Sequence, residues 1–367
     1  MDQQARWDSS PTVLLLVPFR NEAAVLPSLL AHLHQLDYPP TQLTTVLIDD
    51  GSTDDSPQLA QTWVNGRPHC HLLKLPHNGG KASALNAALA HFPQGELVAV
   101  FDADERPSPT TLSHLAVCFM DKKVGAVNGR RVVSNSLASL FASASTIESL
   151  VHQLVTMQAK QRLNLAPALL GSNCVYRRQA LAAVGGFQPG ALLEDSDLSL
   201  KLVAAGWQTG FCPQAISTHV VPQTWRGHWR QHRRWASGFG HVARQQAAQI
   251  ITNQQLAWPM RLELLAFSCG YADRVAWLVL GVWLGVKTAV HRHPPWLSLT
   301  IFLMSLITPL FQVMVALRQA QAPAALWQRI LLLPCLLPLQ MAFGLLGLWL
   351  KKVNWEMREQ QQAKGIG

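Results

Sequence analysis

Between residues 12 and 101, short apolar runs alternate with segments of helical periodicity, and two of the runs end directly in acidic clusters. Residues 12–18 read as a buried strand, and Glu22–Gln35 repeats its apolar residues at helical spacing until Tyr38-Pro39-Pro40 stops it. Thr44–Ile48 is a second strand, running into Asp49-Asp50-Gly51-Ser52-Thr53-Asp54. Leu72–Leu75, a helix over Lys81–His91 and a strand over Leu97–Phe101 continue the pattern, the last running into Asp102-Ala103-Asp104. Such alternation predicts an α/β fold, a parallel sheet with helices on both faces. Ligands in these sheets bind beyond the carboxyl ends of the strands, where both acidic clusters fall.

Beyond Arg106 the sequence predicts a helix (Thr110–Met120), a strand (Gly125–Val133) and a mixed segment to Leu165. Turn-rich stretches follow at Gly171–Arg178 and Gly185–Phe187, then a helix over Asp195–Gly206 with Glu194-Asp195 at its start. Thr224–Gln249 is basic and rich in Trp, and reads as a helix lying at a membrane interface. Three apolar stretches come next, at 262–286, 296–317 and 326–350. The last two are long enough to cross about 30 Å of hydrocarbon. Glu263, Asp273 and Arg274 interrupt the first, and the distribution of Lys and Arg over the loops favours placing it in the interface. The expected organisation is an α/β domain over 1–223, an interfacial region over 224–261, two or three membrane helices within 262–350, and a polar tail over 351–367.

The chain has 367 residues, 49% of them hydrophobic and only 14% charged, which is apolar for a wholly soluble protein. Its net charge of +9 is concentrated between Arg226 and Arg244, favouring nucleotide phosphates or acidic lipids as partners. Neither zinc-finger spacing nor an aromatic RNA-binding signature accompanies that charge, so nucleic acid is not an expected partner. Six scattered cysteines without a CxxC pair suit a reduced compartment. His69-Cys70-His71 is a poor metal site, because neighbours on a strand point to opposite faces. Met1–Ser10 is polar and carries no secretory signal.

Four clusters carry candidate chemistry, each beside a plainer alternative. Asp102 and Asp104 offer hard oxygen ligands for Mg²⁺ or Mn²⁺ at a strand end, or form an exposed acidic turn. Asp49 and Asp50 lie in a turn whose Ser and Thr residues favour a helix cap, leaving a carboxylate for a base or ribose hydrogen bond. Lys81, at a helix start after Gly79-Gly80, suits a phosphate contact, although the spacing is not that of a P-loop. Glu194, Asp195 and Asp197 crowd three carboxylates into four residues; repulsion raises a pKa toward a working general base, or the three merely favour a helix N-terminus. Gln231-His232-Arg233-Arg234-Trp235 presents guanidinium and indole groups to a phosphate and a sugar face, or to lipid headgroups.

Taken together these residues resemble the membrane-associated family-2 glycosyltransferases, a group that includes the cellulose, hyaluronan and poly-N-acetylglucosamine synthases. The resemblance runs from Val13 to about Gly240, through Val17–Glu22, Asp49–Asp54, Gly80–Asn86, the DxD at Asp102–Asp104, Glu194-Asp195 and the QxxRW at Gln231–Trp235. One departure is Leu193, where the polymer synthases commonly carry Thr. The resemblance implies a GT-A fold and inversion at the anomeric carbon of a nucleotide sugar, expected to be a UDP-sugar. It implies donor contacts from Glu22, Asp49, Asp50, Lys81 and Asp102, and metal at Asp102 and Asp104. Asp195, beside Glu194, would be the base on the acceptor hydroxyl, and Gln231, Arg234 and Trp235 would close over the diphosphate. The implied acceptor is a polysaccharide or a lipid, at a cytoplasmic membrane with the catalytic domain facing the cytoplasm. A homo-oligomer or a partner membrane subunit would complete any export path. The competing expectation is an inactive transferase-fold scaffold of a glycan-export complex.

Overall fold

The computed structural model describes residues 10–292 and 295–336, together with 339, 341–343 and 345. Eight strands form one sheet: β1 (Val13–Phe19), β2 (Leu43–Asp49), β3 (Cys70–Lys74), β4 (Leu97–Val100), β5 (Arg106–Pro107), β6 (Val124–Val133), β7 (Cys174–Arg177) and β8 (Gln208–His219). Their spatial order is β3-β2-β1-β4-β7-β6-β8-β5.

The first four strands pair in parallel, as the alternation predicts. Each link between them carries a helix: α1 (Leu26–Leu33), α2 (Ser56–Val64) and α3 (Lys81–His91). β1 is apolar throughout because both of its faces are covered. Val13, Leu15 and Val17 pack toward α1 and α4 (Thr111–Val117), while Leu14 and Leu16 pack toward α3.

The parallel pairing expected from the alternation does not extend to the second half of the sheet, which is mixed. β7 runs antiparallel to both β4 and β6, and β5 runs antiparallel to β8. β7 lies inside the stretch read as turns, because four residues flanked by Gly171-Ser172-Asn173 give too short an alternation to register. β8 was hidden for a similar reason. It carries Gly210 and Pro213, and its pairing with β6 shifts register between Gly129 and Arg130.

The mixed segment to Leu165 is a helix, α5 (Leu140–Leu150), continuing through a π-helical stretch (Val151–Met157) into Gln158–Arg162. Gln153, in the π-helical stretch, is 2% exposed. Its amide accepts from the Arg131 N–H at 2.7 Å and donates to the Arg131 carbonyl at 2.9 Å. The pair occupies the edge of β6 where β7 no longer reaches it. α6 (Arg178–Ala183) and α7 (Glu194–Ala204) follow.

α8 (Trp225–Thr252) is the basic, Trp-rich segment. It does not simply lie on a surface: His228, His232, Ala236, Gly238, Val242, Gln246 and Ile250 bury one face of it. The first apolar stretch is broken into α9 (Trp258–Ser268) and α10 (Ala272–His291), with Cys269-Gly270-Tyr271 between them. A Cβ on Gly270 would meet the Phe239 ring at 3.1 Å, so the break is packed against α8.

Among the described residues one helix, α11 (Trp296–Gln319), is long and apolar enough to cross a membrane, where two or three were expected. Its most apolar window has a mean hydropathy of 2.0 and is only 12% buried, unlike the core helix of a soluble protein. The third stretch begins as α12 (Ala324–Gln328) and a 3₁₀ segment (Arg329–Leu336). Most of its remainder, and the polar tail over 351–367, lie outside the described residues.

Candidate active site

The loops after β1 and β2 are stitched into one platform. Ser52 Oγ accepts from the Asn21 N–H at 3.1 Å, Ser56 Oγ from the Glu22 N–H at 2.8 Å, and Asp54 from the Ala23 N–H at 3.1 Å. Asn21 adopts a left-handed conformation (φ 54°) and accepts from the Thr53 N–H at 2.8 Å. The polar residues following Asp50 thus fix backbone, and Glu22 is held at the junction.

Asp49 and Asp50 are both 5% exposed. Asp49 accepts from the Ser52 N–H at 2.8 Å. Asp50 takes the Gly79 N–H on one oxygen at 2.8 Å and the Gly80 N–H on the other at 2.9 Å. Burial raises its pKa, against those two N–H groups and Arg20. Asp50 therefore sets the turn that delivers Lys81 to the start of α3.

Lys81 is a hub. Its ammonium lies 2.6 Å from Asp102 Oδ1, 2.8 Å from the Gly171 carbonyl and 3.5 Å from Glu194 Oε1. Burial disfavours its charge, but Asp102, Glu194 and Asp195 outweigh burial and hold it protonated, above its ordinary value. One cation thereby draws together two acidic motifs some ninety residues apart in sequence. The Asp102 N–H donates to Ser172 Oγ at 2.8 Å, so the Gly171-Ser172 loop braces the DxD as well. Asp104 Oδ1 is buried without a hydrogen-bond partner. Glu105, fully buried, bonds Ser217 and pairs with Arg131, whose charge also acts on Asp102 and Asp104.

Asp195 opens α7. Its pKa is raised to about 6, first by burial and then by Glu194, against the pull of Lys81, the Ser196 N–H and Arg234. A Cβ on Gly171 (φ +74°) would come within 3.1 Å of Asp195 Oδ2, so only glycine lets the loop approach this closely. Asp197 faces elsewhere: Lys201 bonds it at 2.7 Å and the Gln246 amide donates to it, tying α7 to α8.

α8 crosses this site in close contact. Gly238 packs against Leu193, and a Cβ there would fall 2.4 Å from Leu193 Cγ. That contact brings Arg234 near enough to lower the pKa of Asp195. Gln231 Oε1 is buried without a partner. Trp235 lies in an aromatic group with Trp229, Phe239, Tyr271 and Phe343.

The structure thus gathers Lys81, Asp102, Asp104, Glu194, Asp195 and Arg234 at one place, with Asp50 behind Lys81. Glu22 and Asp49 belong to the adjoining platform, and Trp235 to the flank of α8. Sequence reasoning passed over Gly171, Ser172, Arg131 and His219. His219, at the end of β8, is pushed down to about 3 by burial; it feels Asp102 and Arg131, and its Nδ1 is buried without a partner. Only the turn character of Gly171-Ser172-Asn173 signalled any of these.

The mixed α/β sheet, with carboxylates at its strand ends, is of the GT-A-like transferase type. The profile described as glycosyltransferase like family 2 matches residues 11–238, more than half of the chain, and the chain belongs to that family. It is 30% identical over 244 residues to a probable glycosyltransferase, YdaM, of Bacillus subtilis, covering 65% of this chain and 58% of that one. It is 32% identical over 234 residues to a beta-monoglucosyldiacylglycerol synthase of Nostoc sp., covering 63% and 49%. The matched segment therefore spans about half the length of these relatives. The fold is also similar to that of a mannosyltransferase of Pyrobaculum calidifontis solved with GDP-Man and Mn²⁺, at a TM-score of 0.55 and 24% identity, over 84% of this chain and 88% of the other.

Proposed function

We propose that the chain transfers a sugar, with inversion, from a nucleotide donor (UDP the expected nucleotide) to a hydroxyl of a membrane lipid or membrane-borne polysaccharide. The observation that carries this reading is the convergence of Lys81, Asp102, Asp104, Asp195 and Arg234. In the reaction, Asp195 takes the proton of the acceptor hydroxyl. The hydroxyl oxygen forms its bond to the anomeric carbon on the face opposite the diphosphate. The bond from that carbon to the diphosphate breaks, and the nucleotide leaves with the electron pair. Arg234 and Gln231 meet the charge growing on the departing phosphates, as fixed donors in a dry site do. Glu194 helps keep the Asp195 pKa high enough for a base near neutral pH. Glu22, Asp49, Asp50 and Lys81 frame the nucleotide, and Trp235 flanks the acceptor entry.

The donor set suits a divalent cation. Asp102 and Asp104 supply hard oxygens, and the unpartnered Asp104 Oδ1 is a ligand atom without another use. Among the described residues no three His, Cys, Asp or Glu side chains cluster as a complete ligand set, so donor phosphate oxygens would complete the shell. When bound, Mg²⁺ or Mn²⁺ neutralises charge on the leaving diphosphate.

The apolar α11 and the basic residues of α8 support a site at the cytoplasmic membrane, facing the cytoplasm. The name of the Nostoc relative supports a lipid acceptor. The inactive-scaffold alternative is not favoured, since the DxD, the Glu-Asp pair and Arg234 are all present and converge.

The test is to incubate membranes carrying the chain with a panel of labelled nucleotide sugars and separate lipid from polymer products. Label should enter one fraction with divalent metal present, and Asp195→Asn should abolish transfer while retaining UDP binding. Normal turnover by Asp195→Asn would refute the base assignment.

A further inference from the structure

Behind the site, α8 is gripped by a polar network that none of the roles above employs. His228 and His232, one helical turn apart, are both fully buried, with ring centroids 4.2 Å apart. Burial pushes them down to about 4 and about 3, so both rings are neutral near pH 7. His232 Nδ1 lies 2.9 Å from the Tyr271 hydroxyl at the break before α10. His232 Nε2 lies 3.4 Å from Glu148 on α5, and the other Glu148 oxygen lies 3.8 Å from the Arg274 guanidinium. Arg274 in turn covers the Tyr271 ring at 4.3 Å. One turn back along α5, Ser145 Oγ lies 3.2 Å from His228 Nδ1. The Tyr271 O–H can donate to Nδ1, which leaves the proton on Nε2; Nε2 makes no hydrogen bond and faces the Glu148 carboxylate.

His232 lies within the Gln231–Trp235 motif but on another face of the helix. Successive residues turn by about 100°, so 231 and 234 share a side that 232 does not. The same turn that brings Arg234 to Asp195 thus presents His232 to Glu148 and Tyr271. A buried imidazole with one nitrogen bonded to Tyr271 and the other turned toward the Glu148 carboxylate resists rotation of α8 through directed contacts as well as through apolar packing.

We propose that His232, held by Tyr271 and Glu148, is a positioning residue that sets Arg234 for the departing diphosphate. This rests on the reading of Arg234 given above.

Tyr271→Phe removes one hydroxyl and keeps the ring, and in the purified full chain it is measured alone and combined with Arg234→Ala. UDP release should fall about 3- to 10-fold in kcat, the worth of one hydrogen bond, at an unchanged donor KM. Arg234→Ala should cost about 100-fold or more. Adding Tyr271→Phe to Arg234→Ala should cost nothing further, because the network acts through the missing guanidinium. A merely structural hydroxyl would lower both backgrounds by the same factor, and that result overturns the proposal. So does full activity of Tyr271→Phe beside a crippled Arg234→Ala. An unimpaired Arg234→Ala would overturn the diphosphate reading and this proposal with it. If Tyr271→Phe does not fold, Glu148→Gln and His232→Asn, whose amide stands near the Nδ1 position, make the same comparison.

Discussion

Asp195 is under opposing demands: burial and Glu194 disfavour its charge, while Lys81, the Ser196 N–H and Arg234 support it. With a folded-state value of about 6 against an ordinary 3.8, the folded chain binds this proton more tightly than the unfolded chain does. Charged Asp195 therefore destabilises the fold at neutral pH, and that cost is relieved as pH falls from about 6 toward 3.8. Asp195→Asn should accordingly raise the thermal midpoint by a few degrees while abolishing transfer; calorimetry showing a lower midpoint would contradict the electrostatic picture. On the proposed reading the same value sets the acid limb of activity: Asp195 as the base would work only when deprotonated, so kcat/KM should fall as pH drops through about 6, and Glu194→Gln should move that inflection lower. The carboxylates stood out in the sequence as acidic clusters at strand ends and at a helix start, and the structure shows that Asp49 and Asp50 also fix backbone there. Gly171, Ser172 and Arg131 did not stand out, because their value lies in what faces them across the fold: Asp195, the Asp102 N–H and the DxD respectively.

At the scale of elements, the site depends on how α7 and α8 meet. Gly238 packs against Leu193, just before α7, with no room for a Cβ, so Gly238→Ala should force α8 outward. Overpacking of this kind costs about 1–3 kcal/mol, read by denaturant unfolding, and here it should also lower transfer by displacing Arg234. Leu193→Ala in the same chain should recover much of both losses. Asn86 makes a second joint. Its amide donates to the Phe187 carbonyl at 2.6 Å and accepts from the Phe187 N–H at 3.0 Å, tying α3 to the Gly185-Gly186 turn before α7. Asn86→Ala should destabilise by about 1–3 kcal/mol. β1 and β4 were legible because strands buried on both faces read as unbroken apolar runs, whereas β3, a half-buried edge strand, showed only its Leu72-Leu73 pair. α5 and the π-helical stretch after it were not legible, since Ser, Thr and Gln residues that bond within the fold interrupt their apolar residues: Ser143 to backbone carbonyls, Ser145 beside His228, and Gln153 at the edge of β6.

Over the whole molecule, the parallel half of the sheet carries the platform and the DxD, and the mixed half brings in Arg131, His219 and the loop behind Asp195. α5 links this domain to the apolar part, where Ile147, Leu150 and Leu154 pack with Val313, Ala316 and Leu317 of α11. An apolar helix so little covered by its own chain should keep the protein with membranes in 1 M salt (roughly a 3 Å screening length) and release it in detergent. Release by salt alone would mean a peripheral, electrostatic attachment. Of the two stretches expected to span, α11 is long and apolar enough among the described residues, and most of the other lies outside them; the first stretch, set apart for its charges, is broken at Cys269-Gly270-Tyr271.

The most direct measurement is an experimental structure with UDP and Mn²⁺ bound. The diphosphate should lie between Asp104 and Arg234, with the Asp195 carboxylate across the sugar pocket from it. A nucleotide seated away from these residues, or Asp195 and Arg234 facing separate surfaces, would contradict a single converged site.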